Sequence, residues 1–137
     1  MEETLIKRVM PNSLEAEQSV IGSMIMDQDA IVTAMEILLQ EDFYHKQYGI
    51  IFDAMIELYS SGQPVDLVTL QNKLKEKDVP QEVSSLEFVG ELVRAVPTSA
   101  NVKYYCNIVK ENSMKRKLIR VTEEIENECY AGKESLE

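Results

Sequence analysis

The side chains able to do chemistry are few and scattered. The single histidine, His45, and the two cysteines, Cys106 and Cys129, stand far apart, with no CxxC pairing. A zinc site needs such ligands clustered, so none is expected. Carboxylates pair at Asp27/Asp29 and Glu41/Asp42. Paired carboxylates can serve as acid and base, but both pairs fall at turns, where helix capping accounts for them. Gly22, Gly49, Gly62, Gly90 and Gly132 stand singly, so no glycine-rich loop is available to cradle phosphate. Lys110, Lys115, Arg116, Lys117 and Arg120 form the one basic concentration. These could touch phosphate, but no aromatic side chains are interleaved for stacking on bases. The expectation is a binding or assembly module, with no catalytic residue, cofactor or metal in this chain.

A chain of 137 residues, 45% of them hydrophobic, is long enough for one domain with its own core, or one domain with an appendage. The net charge of −10 argues against nucleic-acid binding by the chain as a whole. The distribution is uneven. Residues 1–100 carry 7 basic and 17 acidic side chains, residues 101–120 carry 6 and 1, and residues 121–137 carry 1 and 6. No apolar run approaches the ~20 residues that span a bilayer. The start, MEETLIKRVMPNS, has no signal-peptide core, so a cytosolic chain with reduced thiols and no membrane partner is expected.

The elements follow from periodicity and punctuation. Residues 101–130 contain no Gly or Pro and read as one long helix, or a helix with one break near Ser113. At ~100° per residue, Val102, Tyr105, Cys106 and Val109 fall in one sector. Met114, Leu118, Val121, Ile125 and Cys129 fall in another, rotated by roughly 140°. A straight helix of this kind serves two partners, first its own domain and then something else. A kink at Ser113 would instead let both sectors pack on one body. On one helix Cys106 and Cys129 lie about 35 Å apart, too far to bridge. The helix is basic before residue 120 and acidic after it, so two copies laid antiparallel would set plus against minus; a solvated face with local ion pairs is the plainer alternative.

Ahead of it, residues 1–9 read as a flexible arm and residues 10–98 as a helical head of about five short helices. Asn12 with Glu15 has capping-box spacing and opens the first helix, with Gly22 inside it for a close helix approach. A second helix spans about 30–39, with Val32, Met35 and Leu39 as its buried set. Phe43 and Tyr44 anchor the next loop. A third helix runs over 46–60 with Ile51, Phe52, Met55, Leu58 and Tyr59 as a stripe, and Gly62 stops it. Asp66 caps a fourth, with Leu67, Leu70 and Leu74 on one side. Residues 78–83 read as a loop, and Ser84 with Glu87 as a capping box for a helix through Ala95. Phe88 is offset from that helix's apolar row. Ser99 caps the long helix and Gly132 ends it. No strand alternation or repeat occurs, so the class is all-α: a compact multi-helix head followed by a long helix.

Several stretches in order resemble the N-terminal domain of the bacterial replicative DNA helicase, the DnaB family. They are Pro11-Asn12-Ser13-Leu14-Glu15-Ala16-Glu17-Gln18 with Val20-Ile21-Gly22, Asp42-Phe43-Tyr44, and Ile51-Phe52-Asp53-Ala54-Met55. Further on come Gly62-Gln63-Pro64-Val65-Asp66-Leu67-Val68-Thr69-Leu70, and Val96-Pro97-Thr98-Ser99-Ala100-Asn101 with Tyr104-Tyr105. The likeness spans about residues 9–130. Two features depart from the family: Ser84-Ser85 stands where members usually carry Gly-Gly, and the ATPase motor with its Walker A loop is absent from this chain.

The resemblance implies a non-catalytic collar on a homohexameric ring, built as a trimer of dimers, in which helical hairpins pair between subunits. Residues 99–130 would be the first hairpin arm and 131–137 the start of a truncated second arm. Met114, Leu118, Val121, Ile125 and Cys129 would face that arm and a neighbouring subunit. The collar would also bind the C-terminal domain of DnaG primase, with Phe88, Ile119 and Ile125 as candidate contacts; Ile125 could equally be hairpin core. A helicase loader is a further possible partner. DNA, ATP and Mg would belong to the motor of the longer protein, at the replication fork in the bacterial cytoplasm. The competing expectations are a nucleic-acid-binding helical domain using the basic segment 110–120, and an unrelated stand-alone adaptor.

Overall fold

The computed structural model describes residues 8–96 and 100–132. Among the described residues the chain forms seven α-helices and no strand, as the all-α expectation requires. They are α1 (Leu14–Met26), α2 (Gln28–Ile37), α3 (Lys46–Ser60), α4 (Leu67–Glu76), α5 (Gln81–Ser84), α6 (Leu86–Arg94) and α7 (Val102–Ala131). A 3-10 turn, Gln40–Asp42, links α2 to α3.

Capping side chains set most of the boundaries. Ser13, Asp27, Asp66 and Ser85 each accept a hydrogen bond from a backbone N–H in the first turn of α1, α2, α4 and α6. Each removes an orphan donor, worth about 1 kcal/mol. Asp66 and Thr69 bond reciprocally across the start of α4. Gly62 and Gly132 take positive φ at the ends of α3 and α7, where a Cβ would be strained.

The core lies around α1, which touches α2, α3, α6 and α7. Val20, Ile21, Met24, Ile31, Ile51, Phe52, Met55, Leu58, Leu70 and Leu74 are buried in it. Full burial of a side chain of this size contributes roughly 1.5–3 kcal/mol. Gly22 is where α1 and the end of α6 meet. A Cβ there would sit 2.5 Å from Val96 Cγ2 and 2.7 Å from the Leu92 carbonyl oxygen, so the expected close approach is present.

Several sequence expectations are corrected. The first cap is Ser13, not Asn12, whose amide donates to the Met10 carbonyl instead. The α6 cap is Ser85, not Ser84, which closes the short helix α5 inside the expected loop. The buried face of α2 is Ala30, Ile31 and Ala34, followed by Leu38, whereas Val32, Met35 and Leu39 are exposed. The small alanines face inward because α2 packs against both α1 and α7; choosing the face by side-chain size picked the wrong one. Phe43 is buried, but Tyr44 is exposed. The expected cap Ser99, and residues 133–137, lie outside the described residues, as do residues 1–7 of the arm.

Candidate interaction site

The long helix α7 is continuous through Ser113, so its two sectors do face different surroundings. Val102, Cys106 and Val109 are buried against the head. The docking stripe does not stop there. Its 4-3-4-3 spacing continues to Ser113 and Arg116, also buried, so the helix stays docked for two further turns through polar groups.

Asp42 organises this polar part. Its side chain is fully buried. Ser113 Oγ donates to its Oδ1 at 2.6 Å, and Oδ2 accepts from the Leu39 N–H at 2.8 Å and from Lys110 Nζ at 3.1 Å. Burial opposes ionisation of this carboxyl. The hydrogen bonds from Ser113, Leu39 and Lys110, with the Lys110 charge, outweigh burial and hold it below the usual range. Arg116 clamps three segments. Its Nη1 donates to the Pro11 carbonyl and its Nη2 to the Asp42 carbonyl, each at 2.8 Å. Its guanidinium lies 5.4 Å from the Tyr44 ring centroid, in cation–π range. Burial lowers its pKa, which leaves an arginine charged all the same.

Glu17 plays the matching part for α3. Its buried carboxylate accepts from the Tyr44 and His45 N–H groups at 2.9 and 3.1 Å, and lies 3.0 Å from His45 Nδ1. The only histidine is thus tied into the head. From it a run of ring contacts passes through Tyr48 to Phe88, the last pair stacked at 6.2 Å.

Beyond Arg116 no described residue of α7 is buried. Met114, Leu118, Val121 and Ile125 are 55, 65, 49 and 55% exposed, with Cys129 exposed near the tip. They form a long apolar row along one side of the outer half of α7. Cys106 differs: burial pushes its thiol up to about 12.

The sequence candidates therefore separate. Arg116 is no surface cation, because it is buried and donates from both Nη atoms to the head. Lys110 is bound to Asp42, Lys115 lies 3.9 Å from Glu111 and Lys117 3.8 Å from Glu41. Arg120 is exposed at the lip of an open cleft whose lining also includes Lys46, Glu41 and Asp53; the mixed charge does not make an anion site. Phe88 is half-buried against the core rather than fully offset from it, and Ile119 is half-buried. Glu17, Asp42 and Ser113 were not foreseen as anchors. The spacing 102, 106, 109, 113, 116 was the available signal, but a serine and an arginine hid it. Among the described residues no cluster of His, Cys, Asp or Glu could hold a metal ion. Among the described residues no helix is long and apolar enough to cross a membrane.

Known proteins match this chain over most of its length. Residues 9–111 match the DnaB-like helicase N terminal domain. The chain is 41% identical to the replicative DNA helicase DnaB of Geobacillus stearothermophilus over all 137 residues, which span 30% of that relative. It is 35% identical over 127 residues to DnaB of Mycobacterium leprae, 93% of this chain and 21% of the relative. The N-terminal domain of DnaB helicase from Mycobacterium tuberculosis superposes with a TM-score of 0.88 at 35% identity, covering 93% of this chain and 91% of that one. The N-terminal domain of DnaB helicase from Helicobacter pylori, described with its interactions with primase, shares the fold at a TM-score of 0.74 and 22% identity, over 85% of this chain and 90% of that one.

Proposed function

The chain belongs to the DnaB-like helicase N terminal domain family, and from that membership we propose that it is a non-catalytic collar domain of a hexameric replicative helicase, which assembles subunits and docks primase. The observation that carries this is the bare apolar row Met114, Leu118, Val121 and Ile125 on a helix whose base is fixed to the head. An exposed row of this size on a rigid helix marks an interaction surface. The half-buried Phe88 and Ile119, with Ile125, are the candidate primase contacts. ATP hydrolysis, magnesium, unwinding and DNA contact belong to the motor of a longer helicase acting at a bacterial replication fork. The hexamer and any loader contact belong to that longer protein as well. The nucleic-acid reading loses support, because Arg116 is buried in the head and Lys110 is bound to Asp42, which takes two of the five basic side chains out of the segment.

Calorimetric titration with the C-terminal domain of a DnaG primase tests the docking role. Saturable binding is expected, weakened about tenfold or more by Ile125→Asp, as for a central interface residue. Absence of binding refutes primase docking, and ATP hydrolysis by the purified chain refutes the non-catalytic role.

A further inference from the structure

Phe88 stands at the edge of the buried face of α6. At ~100° per residue it falls about 40° from Leu92 and about 100° from Val89. Those two are buried, and Phe88 is half-buried. Its backbone is fixed, since Ser85 Oγ accepts from its N–H at 3.1 Å. Its ring is a separate matter. A half-buried aromatic side chain at such a margin has more than one staggered rotamer open to it, unless something lies against its face. Here that something is Tyr48. Helix α6 packs on α1, α4 and α5, and Tyr48 reaches it from α3. The two rings stack with 6.2 Å between centroids and 22° between planes.

Tyr48 is itself held from two directions. Its hydroxyl accepts a hydrogen bond from Gln18 Nε2 of α1 at 3.0 Å. The His45 ring lies 5.6 Å from the Tyr48 ring, and that imidazole is oriented by the buried Glu17, 3.0 Å from Nδ1. A leucine at position 48 would fill the core without polar partners. Apolar burial has no direction, whereas the hydrogen bond at the tip and the oriented imidazole do. At 4% exposure Tyr48 offers no surface to a partner. Resting on the docking role above, we propose that Tyr48 is a positioning residue for that docking, holding the Phe88 ring in the orientation the partner meets. A stacked pair of this geometry biases a rotamer population about three- to tenfold, and affinity falls with the fraction of chains in the competent rotamer.

Two measurements test this. Calorimetric titration with the C-terminal domain of a DnaG primase reads affinity, and the Hα–Hβ couplings of Phe88 read its χ1 in the free chain. The native chain is expected to show the couplings of one rotamer. Tyr48→Leu is expected to average them and to weaken binding about three- to tenfold. Tyr48→Phe keeps the ring and is expected to stay within about twofold of the native chain. In a Phe88→Ala background, Tyr48→Leu is expected to cost nothing further, because the ring it orients is gone. If circular dichroism shows Tyr48→Leu to be unfolded, Tyr48→Met, which refills the space without a ring, takes its place. A purely structural role would lower Tm and leave the Kd of the folded chain unchanged, or would cost as much with Phe88→Ala as without it; either result overturns the proposal. So do averaged couplings in the native chain, or a Phe88→Ala chain that binds like the native one. Absence of binding by the native chain refutes the docking reading instead, and the couplings then decide the positioning by themselves.

Discussion

Replacing Asp42 with asparagine tests whether the polar anchor fixes the long helix. The new side chain is isosteric but keeps one acceptor oxygen, and it turns an N–H₂ toward donors that formerly met oxygen. Ser113 Oγ, the Leu39 N–H and Lys110 all point at this carboxylate. Lys110 is about a third exposed, so water takes over much of its share. The bonds from Ser113 and Leu39 are buried and charge-assisted, and leaving one of them unmet costs roughly 1–3 kcal/mol. The sum is about 3 kcal/mol at neutral pH, or a fall of about 10 °C in Tm. Urea denaturation followed by circular dichroism measures the first and thermal melting the second. Hydrogen exchange adds a location: amides of residues 106–116 lose protection more than those of α3. The pH dependence supplies the sign. The folded carboxyl lies below its ordinary value of 3.8, so its stabilisation is complete above about pH 4 and is lost as pH falls through the folded value. The native chain and Asp42→Asn should therefore converge in stability toward acid. A difference under about 1 kcal/mol at neutral pH, or a gap that widens toward acid, would refute the anchor.

Gly22→Ala should destabilise by about 1–2 kcal/mol, because overpacking against Val96 and the Leu92 backbone, at the upper end of ~1–3 kcal/mol, exceeds the ~1 kcal/mol gained in helix propensity; chemical denaturation measures it. Adding Val96→Ala relieves only part of the loss, since the Leu92 carbonyl stays in place. Glu17→Gln should cost roughly 1–3 kcal/mol by weakening the acceptor for the Tyr44 and His45 N–H groups, again read by urea denaturation. Iodoacetamide should label Cys129 in the native chain and reach Cys106 only after unfolding, since Cys106 is buried with its thiol pushed up to about 12; mass spectrometry of the digests separates the two. Leu118→Ala should shift the stability of the monomer by no more than ~0.5 kcal/mol, against 2–5 for Leu70→Ala in the core.

Periodicity and turn chemistry made much of the fold legible. The 3,4-spaced stripe from Ile51 to Leu58 and the caps at Asp66 and Gly62 give α3 and α4 from local rules alone. Where two adjacent hydroxyl or amide residues compete for a cap, as at Asn12/Ser13 and Ser84/Ser85, composition does not separate them, and the fit of the chain onto the head decides. The face of α2 was misjudged because Ala30 and Ala34 look too small for a core, although a close helix contact requires them. The exposed half of α7 was legible, since its row is apolar and lies away from the docking stripe. The anchoring half was not. Asp42 is separated from Ser113 and Arg116 by about seventy residues of chain, and no local rule makes a buried carboxylate out of a turn aspartate.

The clamp at Arg116 also sets a lever. From Lys117 to Ala131 the helix runs on for 15 residues, about 22 Å at ~1.5 Å per residue. A tilt of only ~5° at the base sweeps the tip through about 2 Å over that length. Apolar side chains alone would tolerate such a tilt, because they slide past one another with little change in area. Hydrogen bonds of 2.6–2.8 Å donated by Ser113 and Arg116 do not, since they weaken steeply with angle. The directional contacts are placed at the fulcrum, where a small error is magnified most, so the aim of the far end is set by groups that never reach it.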